Sequence, residues 1–262
     1  MQLLGMGGRQ EREEVQWIEE PYRRKNLHFA SVELPADSSL RSFFAEQVVI
    51  DLLGKLSDEE SIVPRTIVFA QSIDDMTKVM LGFHAMLGNK LYRRGKQSVH
   101  SFHAGTGASY TLKKKIFIDI VLGPSTKQFI LDELGKESAQ SPEVLVVIAS
   151  CALSLGVNTR GVEMVLHFMP PRRICDYVQQ AGRAGRCNWM QDLQLPCIVY
   201  FTSASLVKVD KTMHEYCTDS SACKRQLAFE HVSPNFDFHS VGIQAAGFEC
   251  CDNCTRRKNK RL

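Results

Sequence analysis

Arg183 and Arg186 are the residues whose type and spacing point most directly to chemistry. They stand three positions apart, which places them one turn apart on the same side of a helix end. Gly182 and Gly185 leave space beside them, and none of residues 177–191 is acidic. Planar, forked guanidinium groups suit phosphate oxygens. We therefore expect an external anion as their partner, with a solvated basic helix end as the alternative.

Cysteines near the end of the chain suggest a second kind of chemistry. Five of the nine cysteines fall in the last 50 residues, and Cys251 and Cys254 form a CxxC pair. Such a turn supplies two thiolates, and a helix residue further upstream can supply another. No secretory signal precedes them and their spacing is not that of a disulfide framework, so zinc is favoured over disulfides, with free thiols as the alternative. A catalytic zinc is not expected, because no activating acid stands nearby.

The composition excludes several classes of protein. The 262 residues are 44% hydrophobic and 23% charged, which is typical of a globular protein with one large domain or two modest ones. A net charge of +3 is too small to indicate a nucleic-acid partner alone, although basic residues cluster at 23–25, 113–115 and 256–261. No apolar run approaches the roughly 20 residues that cross a bilayer, so no membrane partner is expected. The cysteine usage predicts a reducing compartment.

Short apolar segments predict the elements that position these groups. Residues 144–149 and 163–168 are rich in Val, Leu and Ile and are bounded by turn residues, as strands buried on both faces of a parallel sheet are. Further strands are predicted at 27–34, 65–70, 98–103 and 197–201. Helices are predicted at 39–56 and 74–87, from residue 125, and at 203–216 and 220–231. The pattern predicts an α/β fold.

The order of these motifs resembles the C-terminal helicase domain of RecQ-like DNA helicases of superfamily 2. Residues 149–158 (ASCALSLGVN) look like motif V, and residues 179–186 (QQAGRAGR) look like motif VI. The resemblance covers roughly residues 22–254. It implies a RecA-like, mainly parallel sheet flanked by helices, followed by a small helical zinc-binding subdomain.

The resemblance also implies roles for individual residues. Arg183 and Arg186 would reach the γ-phosphate of ATP held by another RecA-like domain, with Gln179 coupling the nucleotide to them. The surface that senses DNA and nucleotide would include Ser150, Gly156 and Asn158.

Two further residues would contact the DNA backbone. His103 ends a strand, where a histidine satisfied inside the core is the alternative. Arg24 lies in a basic run before Asn26, where a solvated entry loop is the alternative.

The zinc ligands are also implied by the resemblance. Cys223 would begin a helix, and Cys251 and Cys254 match the family's CDNC. No cysteine stands at the family's position for the remaining ligand. We expect Cys250 in that role, with the alternatives Cys217 and His239.

These motifs divide the chain into predicted segments. A leader, expected to be disordered, occupies residues 1–21, and the second RecA-like domain occupies 22–202. Residues 109–124 are an atypical insertion with an apolar run beside three lysines, expected to pack poorly. The helical zinc-binding subdomain occupies 203–255, and a basic tail, expected to be disordered, occupies 256–262.

Two motifs of a complete helicase motor are missing. The sequence has neither a Walker A loop nor an acidic magnesium motif, so ATP and Mg²⁺ would be held mainly by a first RecA-like domain absent from this chain. We expect no ATP hydrolysis by this chain alone. Ser154 and residues 159–160 and 187–188 depart from the family pattern, which puts efficient coupling in doubt.

Two main functions compete, and a degenerate relic that hardly folds is a third possibility. The chain is either the C-terminal half of a 3′–5′ ATP-dependent DNA helicase or a non-catalytic nucleic-acid-binding or regulatory module derived from one. In either case the expected partner is DNA, single-stranded or as a 3′-tailed duplex, contacted through its backbone. The resemblance implies a location in the nucleus.

Overall fold

Eight strands are found in the computed structural model, which describes residues 25–103, 124–136, 142–154, 158–230 and 247–260. The strands are β1 (Leu27–Glu33), β2 (Thr66–Ala70), β3 (Tyr92–Arg93), β4 (Lys96–Gln97), β5 (Val99–Phe102), β6 (Val146–Ala149), β7 (Met164–Phe168) and β8 (Leu195–Phe201). Arg24, Gly156, His239, the predicted leader and residues 109–123 of the predicted insertion lie outside the described residues.

The described α-helices flank these strands. They are α1 (Ser39–Ala45), α2 (Gln47–Ser57), α3 (Ile73–Leu87), α4 (Pro124–Gly135), α5 (Ile174–Ala181), α6 (Lys211–Thr218), α7 (Lys224–Phe229) and α8 (Asp252–Asn259). Short 3₁₀ turns occupy Ala36–Ser38, Gly88–Leu91, Cys151–Ser154, Asn188–Met190 and Ser203–Lys208. None of these described helices is long and apolar enough to cross a membrane.

Six strands form one sheet in the order β1-β8-β7-β2-β6-β5, and every neighbouring pair is parallel. The remaining two, β3 and β4, form an antiparallel hairpin. The predicted α/β class with a mainly parallel sheet is therefore confirmed, and all six predicted strands are present.

Two hydrophobic clusters cover the two faces of the sheet. Successive side chains of a strand point to opposite faces, so Ile67 and Phe69 join one cluster while Val68 and Ala70 join the other. The first cluster includes side chains of α4 to α7 and the cysteines near the end of the chain, and the second includes those of α1 to α3. Side chains from one face of the sheet and the cysteines belong to the same cluster. The predicted RecA-like and zinc-binding segments therefore share a core.

Three helical predictions differ from the structure. The single helix predicted at 39–56 is broken at Glu46, whose backbone is extended (φ −64°, ψ 138°). The helix predicted at 203–216 is a 3₁₀ turn followed by α6, which begins after its N-cap Asp210. The tail expected to be disordered from 256 continues α8 as far as Asn259, because Cys251 caps that helix.

Candidate functional site

Helix α5 carries the candidate anion-binding arginines at its end. Its first amide, of Ile174, donates to the Asp210 carboxylate at 3.2 Å, and Arg173 pairs with Asp176 in the first turn. A carboxylate at a helix N-terminus is stabilising. The helix ends where the Gly182 amide donates to the Val178 carbonyl at 2.9 Å. The two arginines follow directly after this end.

Gly185 fixes the path of the chain between the two arginines. Its φ of +68° is in the left-handed region, which glycine adopts without steric cost. Its amide donates to the Val162 carbonyl at 2.9 Å, and the Thr159 hydroxyl donates to the Arg183 carbonyl at 3.3 Å. Val162 stands just before β7, so these bonds hold the arginine segment at the amino-terminal edge of the sheet.

The two guanidinium groups are close enough to affect one another. Burial and the neighbouring Arg186 lower the pKa of Arg183 to about 10, and burial lowers the pKa of Arg186. Arg183 is 4% exposed, whereas Arg186 is exposed and donates from Nε to the Gly182 carbonyl at 3.1 Å. The pair therefore concentrates positive charge in a partly desolvated place, where an anion would be stabilised.

The two glutamines before the arginines face different surroundings. Gln179 is exposed, but Gln180 is buried, and its Oε1 lies 2.9 Å from Nε2 of His167 on β7. Burial lowers the pKa of His167 to about 4, so this imidazole is neutral. The sequence singled out Gln179 and missed the pair of His167 and Gln180, which joins α5 to the sheet.

The other candidate residues fall at two opposite edges of the sheet. Ser150 follows β6, and its amide donates to the Phe102 carbonyl of β5 at 3.1 Å, so it lies at the carboxyl-terminal edge with His103. His103 is 4% exposed. Asn158 is exposed and adjoins Thr159 at the amino-terminal edge, near the arginines. The structure thus separates Ser150 from Asn158, although the sequence grouped them in one motif.

Arg65 is a buried residue of this region that the sequence analysis did not single out. Its Nη1 donates to the carbonyls of Lys136 at 3.0 Å and Arg160 at 3.2 Å, and its amide donates to the Glu163 carboxylate at 2.9 Å. Burial lowers its pKa, while Glu133 and Glu163 act in the opposite direction. Arg65 therefore holds the segment after Asn158 against α4. An arginine that opens an apolar strand is the only sequence signal for it.

Four cysteines meet in a second site. The sulfur atoms of Cys223, Cys250, Cys251 and Cys254 all lie within 4.8 Å of one another, and those of Cys223 and Cys250 are 3.5 Å apart. Four thiolates at the usual zinc–sulfur distance of about 2.3 Å form a tetrahedron with edges of about 3.8 Å. The group therefore fits a tetrahedral metal ion.

This group contains all four of the predicted ligands. Cys217, an alternative for the fourth position, is not in it, and burial raises the pKa of that thiol to about 12.

Helix ends and the edge strand place these cysteines. Cys223 precedes α7, and Cys251 is the N-cap of α8, with its sulfur accepting from the Cys254 amide at 3.4 Å. The Phe29 amide on edge strand β1 donates to the Cys250 carbonyl at 3.4 Å. The cysteine segment thus covers the β1 edge of the sheet.

The protonation of the four thiols is interdependent. Hydrogen bonds with the other cysteines raise the pKa of Cys223 and lower that of Cys251. Four thiolates this close would repel one another, so full ionisation needs a cation among them. Cations lie beside the group: Arg257 donates to the Cys254 sulfur at 3.1 Å, the buried Lys224 follows Cys223 directly, and the charge of Arg225 acts to lower the pKa of Cys250.

Comparison with protein families gives one matching domain. Residues 46–188, more than half of the chain, match the helicase conserved C-terminal domain. This span contains β2 to β7 and the whole arginine segment.

Several curated relatives align with the same region. The chain is similar to ATP-dependent DNA helicase Q1 of Rattus norvegicus, with 31% identity over 127 residues that cover 44% of this chain and 19% of that protein. It is 28% identical over 142 residues to ATP-dependent helicase SGS1 of Saccharomyces cerevisiae, covering 46% and 9%. It is 27% identical over 144 residues to the bifunctional 3′-5′ exonuclease/ATP-dependent helicase WRN of Mus musculus, covering 46% and 10%. The matched region thus spans less than a fifth of these relatives.

Solved structures with a similar arrangement are more distant in sequence. The C-terminal domain of the DEAD-box protein Dbp5 is 14% identical, with a TM-score of 0.46 over 75% of this chain and 87% of that chain. A DEAD box protein from Methanococcus jannaschii is 15% identical, with a TM-score of 0.43 over 70% and 38%.

Proposed function

Because the chain belongs to the helicase conserved C-terminal domain family, in its RecQ-like group, we propose that it is the second motor module of a 3′–5′ ATP-dependent DNA helicase. In this role the exposed Arg186 faces ATP that is bound, with Mg²⁺, by a first RecA-like domain. Arg183, which is 4% exposed, would reach the same ATP after a shift of the arginine segment. Gln179 and Asn158, both exposed, would contribute to the nucleotide-facing surface in this role. This module by itself hydrolyses no ATP.

The arginine pair is the observation that carries this proposal. Burial and the closeness of Arg186 lower the pKa of Arg183 to about 10, which means that the protein holds two like charges together at a cost. Phosphate oxygens delivered by another domain would offset that cost through forked hydrogen bonds. Charge that develops on the γ-phosphate during hydrolysis would be stabilised most, and arginines in this role raise rates by about 10³-fold or more.

DNA contact at the opposite edge of the sheet is the second part of the proposal. Ser150, which is half-exposed at the carboxyl-terminal edge, would contact the backbone of a single strand or a 3′-tailed duplex. His103 is 4% exposed, so its contact with a phosphate would require the strand end to open. Arg24 remains a proposed contact on sequence grounds alone. Backbone contacts of this kind make affinity fall steeply with salt.

The four-cysteine group is proposed to bind a structural zinc ion. Cys223, Cys250, Cys251 and Cys254 would hold it with no position left for a substrate. Zinc bound in this way stabilises the fold and takes no part in ATP hydrolysis. Because the proposed substrate is DNA, we also propose that the protein acts in the nucleus.

ATP hydrolysis by a chimera tests the proposed role of the arginines. In the rat Q1 helicase, the segment that corresponds to residues 46–188 would be replaced by those residues of this chain, so that a first motor domain is present in the same polypeptide. DNA-stimulated hydrolysis should appear in the chimera and fall by about 10³-fold with Arg183→Ala or Arg186→Ala. Arg173→Ala, at the other end of α5, is the matched control and should keep the activity. A chimera without activity, or arginine variants as active as the control, would contradict the proposal.

The alternative of a non-catalytic DNA-binding module is favoured by one feature. The end of α8 exposes four basic residues: Arg256, Arg257, Lys258 and Lys260. If these residues contact phosphates, replacing both lysines with glutamine should weaken DNA binding by the isolated chain. The slope of log affinity against log salt should then decrease by about 2. An unchanged slope, or no binding at low salt, would rule the alternative out.

A further inference from the structure

Two buried tyrosines join the arginine helix to the helix before the cysteine group. The hydroxyl oxygens of Tyr177 on α5 and Tyr216 on α6 are 2.7 Å apart, and both side chains are fully buried. The Tyr177 hydroxyl also lies 3.1 Å from the Cys197 carbonyl, which can only accept. Because each hydroxyl has one proton, Tyr177 donates to Cys197 and Tyr216 donates to Tyr177.

Lys224 continues this connection from Tyr216 to the cysteines. Its ammonium group donates to the Tyr216 carbonyl at 2.7 Å and lies 5.2 Å from the centre of the Tyr216 ring. Lys224 is 1% exposed and follows Cys223 directly. A displacement of Cys223 therefore moves the groups that hold the Tyr216 ring and its carbonyl.

Phe29 forms a second connection on the same side of the sheet. Its ring meets Tyr177 edge to face at 6.1 Å and Phe229 at 5.9 Å, and the Arg225 guanidinium lies 4.9 Å from its centre. Its backbone is bridged to Cys251. Tyr177 thus contacts the surroundings of the cysteine group through both Tyr216 and Phe29.

Tyr177 lies six residues before Arg183, on the helix that ends at the arginine segment. Hydrogen bonds from the amides of Gly182, Arg183 and Ala184 to carbonyls three or four residues earlier tie the arginine segment to the last turns of α5. A shift of α5 at Tyr177 is consequently transmitted to the arginines rather than absorbed by a flexible loop.

We propose that Tyr216 is a positioning residue through which a metal ion in the cysteine group sets the position of α5 and of its two arginines. Bound by all four sulfurs, the ion would fix Cys223 and Cys251 relative to one another. Without it, only packing and the contacts between the thiols hold these two segments together, so Lys224 and Phe29, and through them α5, are held less firmly. The effect of this positioning on function rests on the proposed role of Arg183 and Arg186. The positioning itself is independent of that role.

The test compares two variants, each of which removes the hydroxyl of one buried tyrosine. Tyr216→Phe keeps the ring and removes only the hydrogen bond to Tyr177. Tyr200→Phe is the matched control, because Tyr200 is 1% exposed on β8 and packs in the other hydrophobic cluster. Both variants would be prepared with zinc bound, and folding would be checked by circular dichroism.

Amide hydrogen exchange in the zinc-bound chain is the first measurement. Loss of one buried hydrogen bond should make the α5 amides exchange about tenfold faster in Tyr216→Phe than in Tyr200→Phe. Equal exchange rates of α5 in the two variants would overturn the proposal.

The second measurement follows the arginines themselves by the NMR signals of their Nε–H groups. In the wild-type chain the Arg183 and Arg186 signals should shift when a chelator removes zinc and return when zinc is added. The zinc-dependent shift should fall to about a third or less in Tyr216→Phe and remain complete in Tyr200→Phe. No shift in the wild-type chain, or an equal shift in both variants, would overturn the proposal.

The two proposals can fail separately. The NMR and exchange measurements use no ATP, DNA or second motor domain, whereas the chimera tests whether the arginines act in hydrolysis. Active arginine variants in the chimera would refute the proposed function and leave the zinc-dependent shift in place.

Discussion

Nε2 of His167 lies 2.9 Å from Oε1 of Gln180, and this hydrogen bond joins β7 to α5 inside the core. The imidazole also stacks on Phe69 at 5.3 Å and meets the Tyr177 ring at 5.0 Å. With the amide oxygen as acceptor, Nε2 carries the proton of a neutral ring. The helix that carries the arginine pair is therefore held by a histidine that cannot become charged without cost.

This histidine should make the stability of the chain depend on pH. Its pKa is about 4 in the folded chain, and an unfolded chain has a value of about 6.5. Between these values the unfolded state binds more protons, so the free energy of unfolding should fall as pH is lowered through this window. The full contribution is on the order of 3 kcal/mol.

Urea unfolding between about pH 7 and pH 5 measures this dependence. His167→Gln should be less stable near neutral pH but should have a shallower slope with pH than the wild-type chain. The exposed His214→Gln is the matched control and should keep the wild-type slope, including any contribution from the metal site. A His167→Gln slope equal to that of the control would show that His167 is not the titrating group.

Metal removal should destabilise the whole chain, because Cys250 and Cys251 contact β1 and share a core with the sheet. The purified chain should contain one zinc ion, and chelation should lower the free energy of unfolding by about 3 kcal/mol or more. Cys254→Ser should lose zinc, whereas the exposed Cys175→Ser should keep it, as measured by elemental analysis. Zinc at full stoichiometry in Cys254→Ser would argue against the four-cysteine site.

Local patterns in the sequence were sufficient to predict the strands and to single out the arginine pair and the CxxC pair of cysteines. Short segments rich in β-branched residues, such as 144–149, are typical of a buried strand, and a CxxC turn brings two sulfurs together by itself. The resemblance implied a fourth ligand but no cysteine stands at its position, and Cys250, chosen among three alternatives, agrees with the grouping in the structure.

Contacts between distant segments could not be predicted in the same way. Tyr177 and Tyr216 are 39 residues apart, and the hydrophobic pattern shows that each is buried without showing which residue it meets. The break at Glu46 has no proline or glycine to mark it. Residues 256–262 have the composition of a solvated tail, yet those up to Asn259 belong to α8, whose N-cap is Cys251.

Substitution of Arg65 tests whether its guanidinium stabilises the segment that follows Asn158. Arg65 is 3% exposed, and its guanidinium donates to the carbonyls of Lys136 and Arg160 through partly buried hydrogen bonds, so Arg65→Met leaves both acceptors without these donors. The cost should be about 2–4 kcal/mol, since each buried unsatisfied group costs about 1–3 kcal/mol. Chemical denaturation of the zinc-bound chain measures it.

The matched control for this substitution is Arg93→Met. Arg93 also donates to two carbonyls, those of Glu59 and Ser61, but it is half-buried, and water can replace it. Its loss should cost about 1 kcal/mol or less. Equal costs for the two variants would mean that burial of Arg65 does not matter to the fold.

Gly185 gives the most specific test of the arginine segment, because two independent effects oppose a side chain there. Its φ is +68°, and a Cβ atom would lie 2.7 Å from Cδ1 of Leu195. Gly185→Ala should cost about 1–2 kcal/mol for the backbone conformation and about 1–3 kcal/mol for overpacking. Gly54→Ala is the control: Gly54 lies within α2 with no atom within 4 Å of its Cβ position, and the substitution should stabilise the chain by about 1 kcal/mol.

A double-mutant cycle separates the two effects at Gly185. Combining Gly185→Ala with Leu195→Ala should remove the overpacking but keep the backbone cost, so the double variant should lose less stability than the sum of the two single variants. Additive costs would show that the side chain at 185 does not meet Leu195, and that the path between Arg183 and Arg186 differs from the one described.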